Sequence, residues 1–142
     1  MDNKKLHIVA VTGLVEKNGK FLIIKRREDE IAYPGMWTVP GGKVEVPDSC
    51  YETLKREIKE ETGVEIQDEI KFVREYGFTR PDGYHVIGLT FACRWKSGKI
   101  KLSKDFTDFA WVTAKEAENY ELIPGILQEI QIFCSKNFKN LT

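Results

Sequence analysis

The segment Gly41-Gly42-Lys43-Val44-Glu45-Val46-Pro47-Asp48, continued by Ser49 to Lys55 and by Arg56-Glu57-Ile58-Lys59-Glu60-Glu61-Thr62-Gly63-Val64, reads as a loop joined to a helix. Asp48 or Ser49 can cap the first turn, because a short side-chain oxygen accepts from a backbone N–H left free there. Gly63 stands where a helix ends on a left-handed residue. On a wheel of about 100° per residue with Tyr51 at zero, Leu54 and Ile58 fall near about 300° and 340° and form the buried stripe with Tyr51. Glu57, Glu60 and Glu61 fall near about 240°, 180° and 280°, directly beside that stripe. Lys55, Lys59 and Glu52 point the other way, and Arg56 lies between the two groups.

Acids three and four residues apart repel one another and weaken an isolated helix. A divalent cation offsets that repulsion, and hard carboxylate oxygens suit Mg²⁺ together with substrate phosphates. The plain alternative is a solvated acidic face. Gly41-Gly42 adds to the metal reading. The pair allows a turn closed to other residues, so a main-chain carbonyl can reach the same cation and the chain can pass close to a ligand.

Outward from this segment the chain alternates between extended and helical patterns. Leu6 to Val15 is a β-branched strand, and Asn18-Gly19 turns it into Phe21 to Lys25. That second run is continuously apolar and so is covered on both faces. Glu28 to Met36 is a loop, and Trp37 to Val39 a short strand stopped by Pro40. After the helix, Val64 to Thr79 is extended, Arg80-Pro81-Asp82-Gly83 is a turn, and Tyr84 to Trp95 is the longest strand. His85, Ile87, Leu89, Phe91 and Cys93 share one of its faces. Lys96-Ser97-Gly98-Lys99 is another turn, and Phe109 to Val112 a last strand. Thr113-Ala114-Lys115-Glu116 is a capping box. Pro124 opens a final helix whose Ile126, Ile130, Phe133 and Cys134 form a core stripe. The pattern gives an α/β fold, a mixed sheet covered by helices on both faces, in a single domain over 1–142.

Twenty-two basic and 22 acidic residues cancel, which argues against gripping a nucleic-acid polymer or an anionic membrane by charge alone. The first apolar run, Ile8 to Val15, is too short to span a bilayer. Cys50, Cys93 and Cys134 match no metal spacing. They read as reduced, mostly buried thiols of a cytoplasmic protein.

Taken together, the central segment resembles the Nudix box: Gly, five residues, Glu, seven residues, Arg-Glu, an apolar residue, any residue, Glu-Glu, any residue, Gly and an apolar residue. Gly42, Arg56, Glu57, Ile58, Glu60, Glu61, Gly63 and Val64 match in register over 42–64. Average residue usage makes this on the order of one in 10⁸ at a given start. Asp48 stands where the pattern has Glu; it keeps the charge and shortens the reach.

The resemblance implies a Nudix α/β/α sandwich and an enzyme that hydrolyses a nucleoside diphosphate linked to another group, using Mg²⁺ or Mn²⁺. It implies that Glu57, Glu60 and Glu61 bind metal, that Gly41 adds its carbonyl and that Arg56 orients the acids. The general base varies in the family: Glu57 or Glu60 stands first here, then Asp105 in the loop before the last strand. Relatives are often dimers, so a homodimer stays open.

The box leaves the substrate, a small nucleotide, unassigned. Arg26, Arg27 and Arg80 are candidate phosphate contacts; the plain reading of Arg26 and Arg27 is a solvated strand end. Trp37 is a candidate for stacking on a base, with Tyr33, Tyr76, Phe78 and Tyr84 beside it, and His85 is a further candidate whose plain reading is a structural or solvated strand histidine. The compact layout resembles mutator-type enzymes that convert a (deoxy)nucleoside triphosphate to its monophosphate and pyrophosphate. Pro81, seventeen residues after Val64, motivates a second reading, an ADP-ribose or nucleotide-sugar pyrophosphatase. A non-catalytic nucleotide-binding module of the same fold is the third.

Overall fold

The structure is a computed structural model and describes residues 6–135. Its framework is the parallel pair of β1 (His7–Lys17) and β7 (His85–Ser97), in register from His7↔His85 to Glu16↔Arg94. Among the described residues every other pairing between named strands is antiparallel, with one isolated parallel bridge, Trp37↔Leu122. β2 (Lys20–Arg26) returns beside β1 through Asn18 and Gly19, whose φ angles of 52° and 80° are the left-handed pair of a tight hairpin. β8 (Phe106–Val112) and the short β3 (Trp37–Thr38) pair with β2. β5 (Glu65–Ile66) and β6 (Lys71–Thr79) pair with β7. The sheet is therefore mixed, as expected.

Two apolar layers form on its two faces. Alternate residues of β1, β2 and β7, namely Val11, Val15, Leu22, Ile24, Phe91 and Cys93, pack with Leu54, Ile58 and Val64. Leu54 and Ile58 belong to α1 (Cys50–Thr62) and are fully buried, each stabilising the fold by about 1.5–3 kcal/mol. The intervening residues Leu14, Phe21, Ile23 and Ala92 pack with Ile126, Ile130 and Phe133 of α3 (Ile126–Ser135) and with Ala117 of α2 (Ala114–Ala117). Phe21 to Ile24 thus contributes to both layers, which is why that run shows no alternation. Both expected capping boxes close: Thr113 with Glu116, and Ser49 with Glu52. Ser49, not Asp48, is the cap of α1, and Gly63 ends the helix at φ 79°.

Four details differ from the sequence reading. Gly41-Gly42 is not a turn: Gly41–Lys43 is an extended strand, β4, antiparallel to β1 through Thr12↔Gly41 and Val11↔Gly42. The glycines serve close approach, since a Cβ on Gly41 would stand 2.1 Å from the Val11 carbonyl oxygen. Tyr51 is 47% exposed, because in the first helical turn it meets the sheet only edge-on at Phe91; Thr53 and Thr62 are buried in the helix instead. Cys134 lies on the exposed side of α3, leaving the stripe to Ile126, Ile130 and Phe133. Only Cys93 of the three cysteines is buried, and burial pushes its thiol up to about 12. Among the described residues, no helix is long and apolar enough to cross a membrane.

Candidate active site

β4 runs directly alongside α1, and the carboxylates of the helix meet its glycines. The Gly41 N–H donates to Glu61 Oε1 at 2.9 Å. A Cβ on Gly42 would stand 2.5 Å from the Glu57 carboxyl carbon, so the missing side chain is what leaves Glu57 its place. β4 is itself fastened to β1: the Gly13 N–H donates to the Pro40 carbonyl at 2.9 Å and the Val44 N–H to the Val9 carbonyl at 2.8 Å. On the other side of the helix end, the N–H groups of Lys101 and Ser103 donate to the carbonyls of Thr62 and Glu61 at 2.9 and 3.0 Å. These bonds satisfy the last helical carbonyls and carry Asp105 to the same rim.

The electrostatics follow the wheel. Glu61, nearest the buried stripe, is the most desolvated of the three helix acids, and burial pushes its pKa up to about 8 against the pull of the Gly41 N–H. The charged groups acting on it, Glu57, Asp105 and Glu60, are all acids. Glu57, with a side chain 20% exposed, is raised mainly by burial, opposed by Arg56. Glu60 is 58% exposed. Arg56 donates to Asp48 at 3.1 Å, to Glu57 at 3.1 Å and to Glu60 at 3.5 Å. Asp48 therefore anchors the guanidinium that gathers the other two acids. Glu45, unassigned in the sequence reading, adds a further negative charge toward Glu57.

As placed, Arg56 draws two of the carboxylates to itself, and among the described residues no three His, Cys, Asp or Glu side chains form a ready-made cage. The donor chemistry still fits a hard divalent cation. The half-buried Glu61 carboxylate has only acids among its charged neighbours, and a glycine leaves room for a second carboxylate beside it.

Across the sheet, on the α3 side, lies a cleft of about 390 Å³. Tyr33, Tyr76, Phe78, Val39 and Ile126 line it, together with Thr12, Arg74 and Glu129. The rings of Tyr76 and Phe78 stack at 6.3 Å and 11°. Gly88 makes room for the first of them, since a Cβ there would stand 2.1 Å from the Tyr76 ring. Trp37 fastens the far wall: its N–H donates to Glu121 and its carbonyl accepts from Ile123, at 2.8 and 2.9 Å.

A NUDIX domain family model matches residues 5–130. The chain belongs to the Nudix family. It is a Nudix hydrolase, an enzyme of the pyrophosphohydrolase class. It is 31% identical over 122 residues to the nucleoside triphosphatase NudI of Escherichia coli, covering 79% of this chain and 86% of that one. Its fold matches a MutT protein from Methanosarcina mazei with a TM-score of 0.77 at 26% identity, covering 94% and 97% of the two chains. A Francisella tularensis bifunctional NMN adenylyltransferase/ADP ribose pyrophosphatase, complexed with AMP and a Mn ion, shares the fold at TM-score 0.70 and 23% identity, over 93% of this chain and 42% of that one.

In this Nudix hydrolase the structure gathers Gly41, Arg56, Glu57, Glu60, Glu61 and Asp105 along one rim. The candidate substrate residues are more scattered. Arg27 pairs with Asp29 and donates to the Lys104 carbonyl at 3.3 Å, which sets it beside Asp105. Arg26 is engaged by Glu30 and the Ala32 carbonyl, and Arg80 by Asp82 within its own turn. Trp37 packs edge-on against Tyr120 at 5.0 Å. Tyr84 lies under Arg80, and His85 shares a 2.9 Å hydrogen bond with Thr79. Of the aromatic candidates, Tyr33, Tyr76 and Phe78 line the cleft. The sequence reading passed over Arg74 and Glu129. An acid three residues after Ile126 and four before Phe133, on the apolar stripe of α3, is the signal that would have found the second.

Proposed function

We propose that this chain is a Mg²⁺-dependent pyrophosphohydrolase that converts a (deoxy)nucleoside triphosphate to the monophosphate and pyrophosphate, Mn²⁺ serving as a substitute. The observation that carries the reading is the rim of acids in which the half-buried Glu61 faces only negative neighbours. The 31% identity to a nucleoside triphosphatase supports the triphosphate, and the Mn ion with the Francisella neighbour supports the divalent metal. Glu57, Glu60 and Glu61 would hold the cation, joined by the Gly41 carbonyl, which in an extended strand points to the same edge as the N–H that meets Glu61. The cation supplies neutralisation of phosphate charge and activation of water. Arg56 keeps Glu57 and Glu60 oriented. Glu57 is the preferred general base, because burial raises its affinity for the proton lost by the attacking water; Glu60 and then Asp105 follow. Arg27, beside the Asp105 loop, is the best placed of the candidate phosphate contacts, ahead of Arg26 and Arg80. We read residues 1–142 as one catalytic domain acting on a small nucleotide, and the three thiols as suited to the cytoplasm.

Pro81 lies in the exposed turn and does not line the cleft, so ADP-ribose serves as the comparison substrate. A panel of ribo- and deoxyribonucleoside triphosphates and ADP-ribose, assayed with and without Mg²⁺, tests the reading. Metal-dependent release of pyrophosphate and monophosphate is expected. AMP released from ADP-ribose as the dominant reaction would replace the substrate, and no metal-stimulated hydrolysis at all would leave a binding module.

A further inference from the structure

The cleft beside α3 contains an ion pair that the hydrolysis does not use. Glu129 is 3% exposed, yet it sits between Ile126 and Ile130 on the buried stripe of its helix. Its Oε1 accepts from Arg74 Nε at 3.1 Å, and the Thr90 hydroxyl faces the same carboxylate. Thr90 is in turn 3.1 Å from the Thr12 hydroxyl. A buried ion pair is weak support for a fold, because desolvation of both charges offsets their attraction and apolar residues of similar size pack as well. Its position suggests a use outside stability. The pair forms part of the cleft wall, next to the stacked rings of Tyr76 and Phe78, with the Arg74 guanidinium 5.5 Å from the Tyr76 ring. One Arg74 N–H is engaged by Glu129, which leaves the terminal nitrogens of the fork as donors. An anionic acceptor beside a cationic donor, flanked by flat aromatic walls, matches the edge of a planar heterocycle that carries a donor next to an acceptor.

One short stretch of chain borders both the cleft and the acid rim. Val39 lines the cleft, and two residues later Gly41 holds Glu61. A nucleotide with its phosphates at the rim can therefore lay its base in the cleft. We propose that Glu129 and Arg74 are the base-reading pair of this enzyme: Glu129 accepts from an exocyclic amino group and Arg74 donates to the adjacent ring nitrogen, so that adenine and cytosine nucleotides are favoured over their keto counterparts, hypoxanthine and uracil. The proposal rests on hydrolysis at the acid rim only for its use in substrate choice; base binding in the cleft is measurable separately.

The test compares matched pairs, CMP with UMP and AMP with IMP for binding by calorimetry, and the corresponding triphosphates for kcat/KM. Wild-type protein is expected to favour the amino member of each pair by about tenfold. Glu129→Gln turns an amide N–H toward the cleft while its carbonyl still faces Arg74, and is expected to erase or reverse both ratios. Phe78→Ala, which removes wall area without touching the pair, is expected to weaken all four nucleotides alike. Equal binding of amino and keto partners by the wild type overturns the proposal, as does a thermally intact Glu129→Gln that keeps the wild-type ratios. The wild-type comparison decides the matter even where a variant fails to fold. Discrimination among monophosphates without any triphosphate hydrolysis would uphold the base-reading pair and remove the catalytic reading; hydrolysis without discrimination would do the reverse.

Discussion

The acid rim on α1 and the cleft on α3 lie on opposite faces of one sheet and are built by opposite means. In the rim, every acid but Asp105 comes from a single stretch of chain, the acids outnumber their one arginine, Arg56, and the charges acting on Glu61 are all negative. In the cleft, the groups come from β1, the loop after β2, β6 and α3, and the central charges are matched, Arg74 against Glu129. An unmatched cluster is poised for a cation and phosphates, whereas a matched pair among aromatic rings is suited to a neutral, planar group. Each region also depends on one glycine that leaves space for a working side chain: Gly42 for Glu57, Gly88 for Tyr76.

The contrast can be broken first through charge. In metal-free protein, the Glu61 pKa of about 8 lies far above the ordinary value of 4.5. The folded chain therefore holds a proton that the unfolded chain releases. The associated stability is complete below about pH 4.5 and is lost as pH rises through about 8, at about 1.4 kcal/mol per unit of pKa difference. Chemical denaturation across this range should show stability falling by several kcal/mol. Glu61→Gln should flatten the slope, and Mg²⁺ should restore stability at the alkaline end.

The two glycines sharpen the contrast. Gly42→Ala puts a Cβ where the Glu57 carboxylate stands, and a flexible side chain can swing aside. We expect kcat to fall by about a hundredfold with the melting temperature little changed, as when one preorganised charge is misplaced. Gly88→Ala displaces the Tyr76 ring from the cleft wall. Its smaller effect should appear in KM, raised about tenfold, the scale of one lost aromatic stacking contact, with kcat retained. A kcat defect in Gly88→Ala or a pure KM defect in Gly42→Ala would erase the division of labour.

The same difference explains what could be read from the chain. The rim is local: spacings over 41–63 placed three acids beside the buried stripe, and their graded exposure, with Glu60 outermost, follows from the helical angle alone. The fold was legible for a similar reason. Asn18-Gly19, the continuously apolar Phe21 to Ile24 and the two capping boxes are short-range signals that tertiary packing did not override. Gly41-Gly42 misled, because extended glycines required for close packing look the same in sequence as glycines required for a turn. The cleft was legible only in part: Tyr33, Tyr76 and Phe78 stood out as aromatic candidates, but Arg74 and Glu129, paired in space, stand tens of positions apart in the chain. β6 adds a second obstacle: its register against β7 shifts between Phe72 and Arg74, so Val73 and Arg74 both face α3 and simple alternation fails where it was needed.

The central claim is that the acids of α1 perform the chemistry while the rest of the molecule positions them. Glu60→Gln tests it most directly, because this carboxylate is exposed and its replacement leaves the core untouched. Measured on the best triphosphate of the panel in saturating Mg²⁺, the account predicts a kcat lowered by at least about a hundredfold, with an unchanged melting temperature. A kcat within about threefold of wild type, a difference of less than about 1 kcal/mol in the barrier, would contradict it.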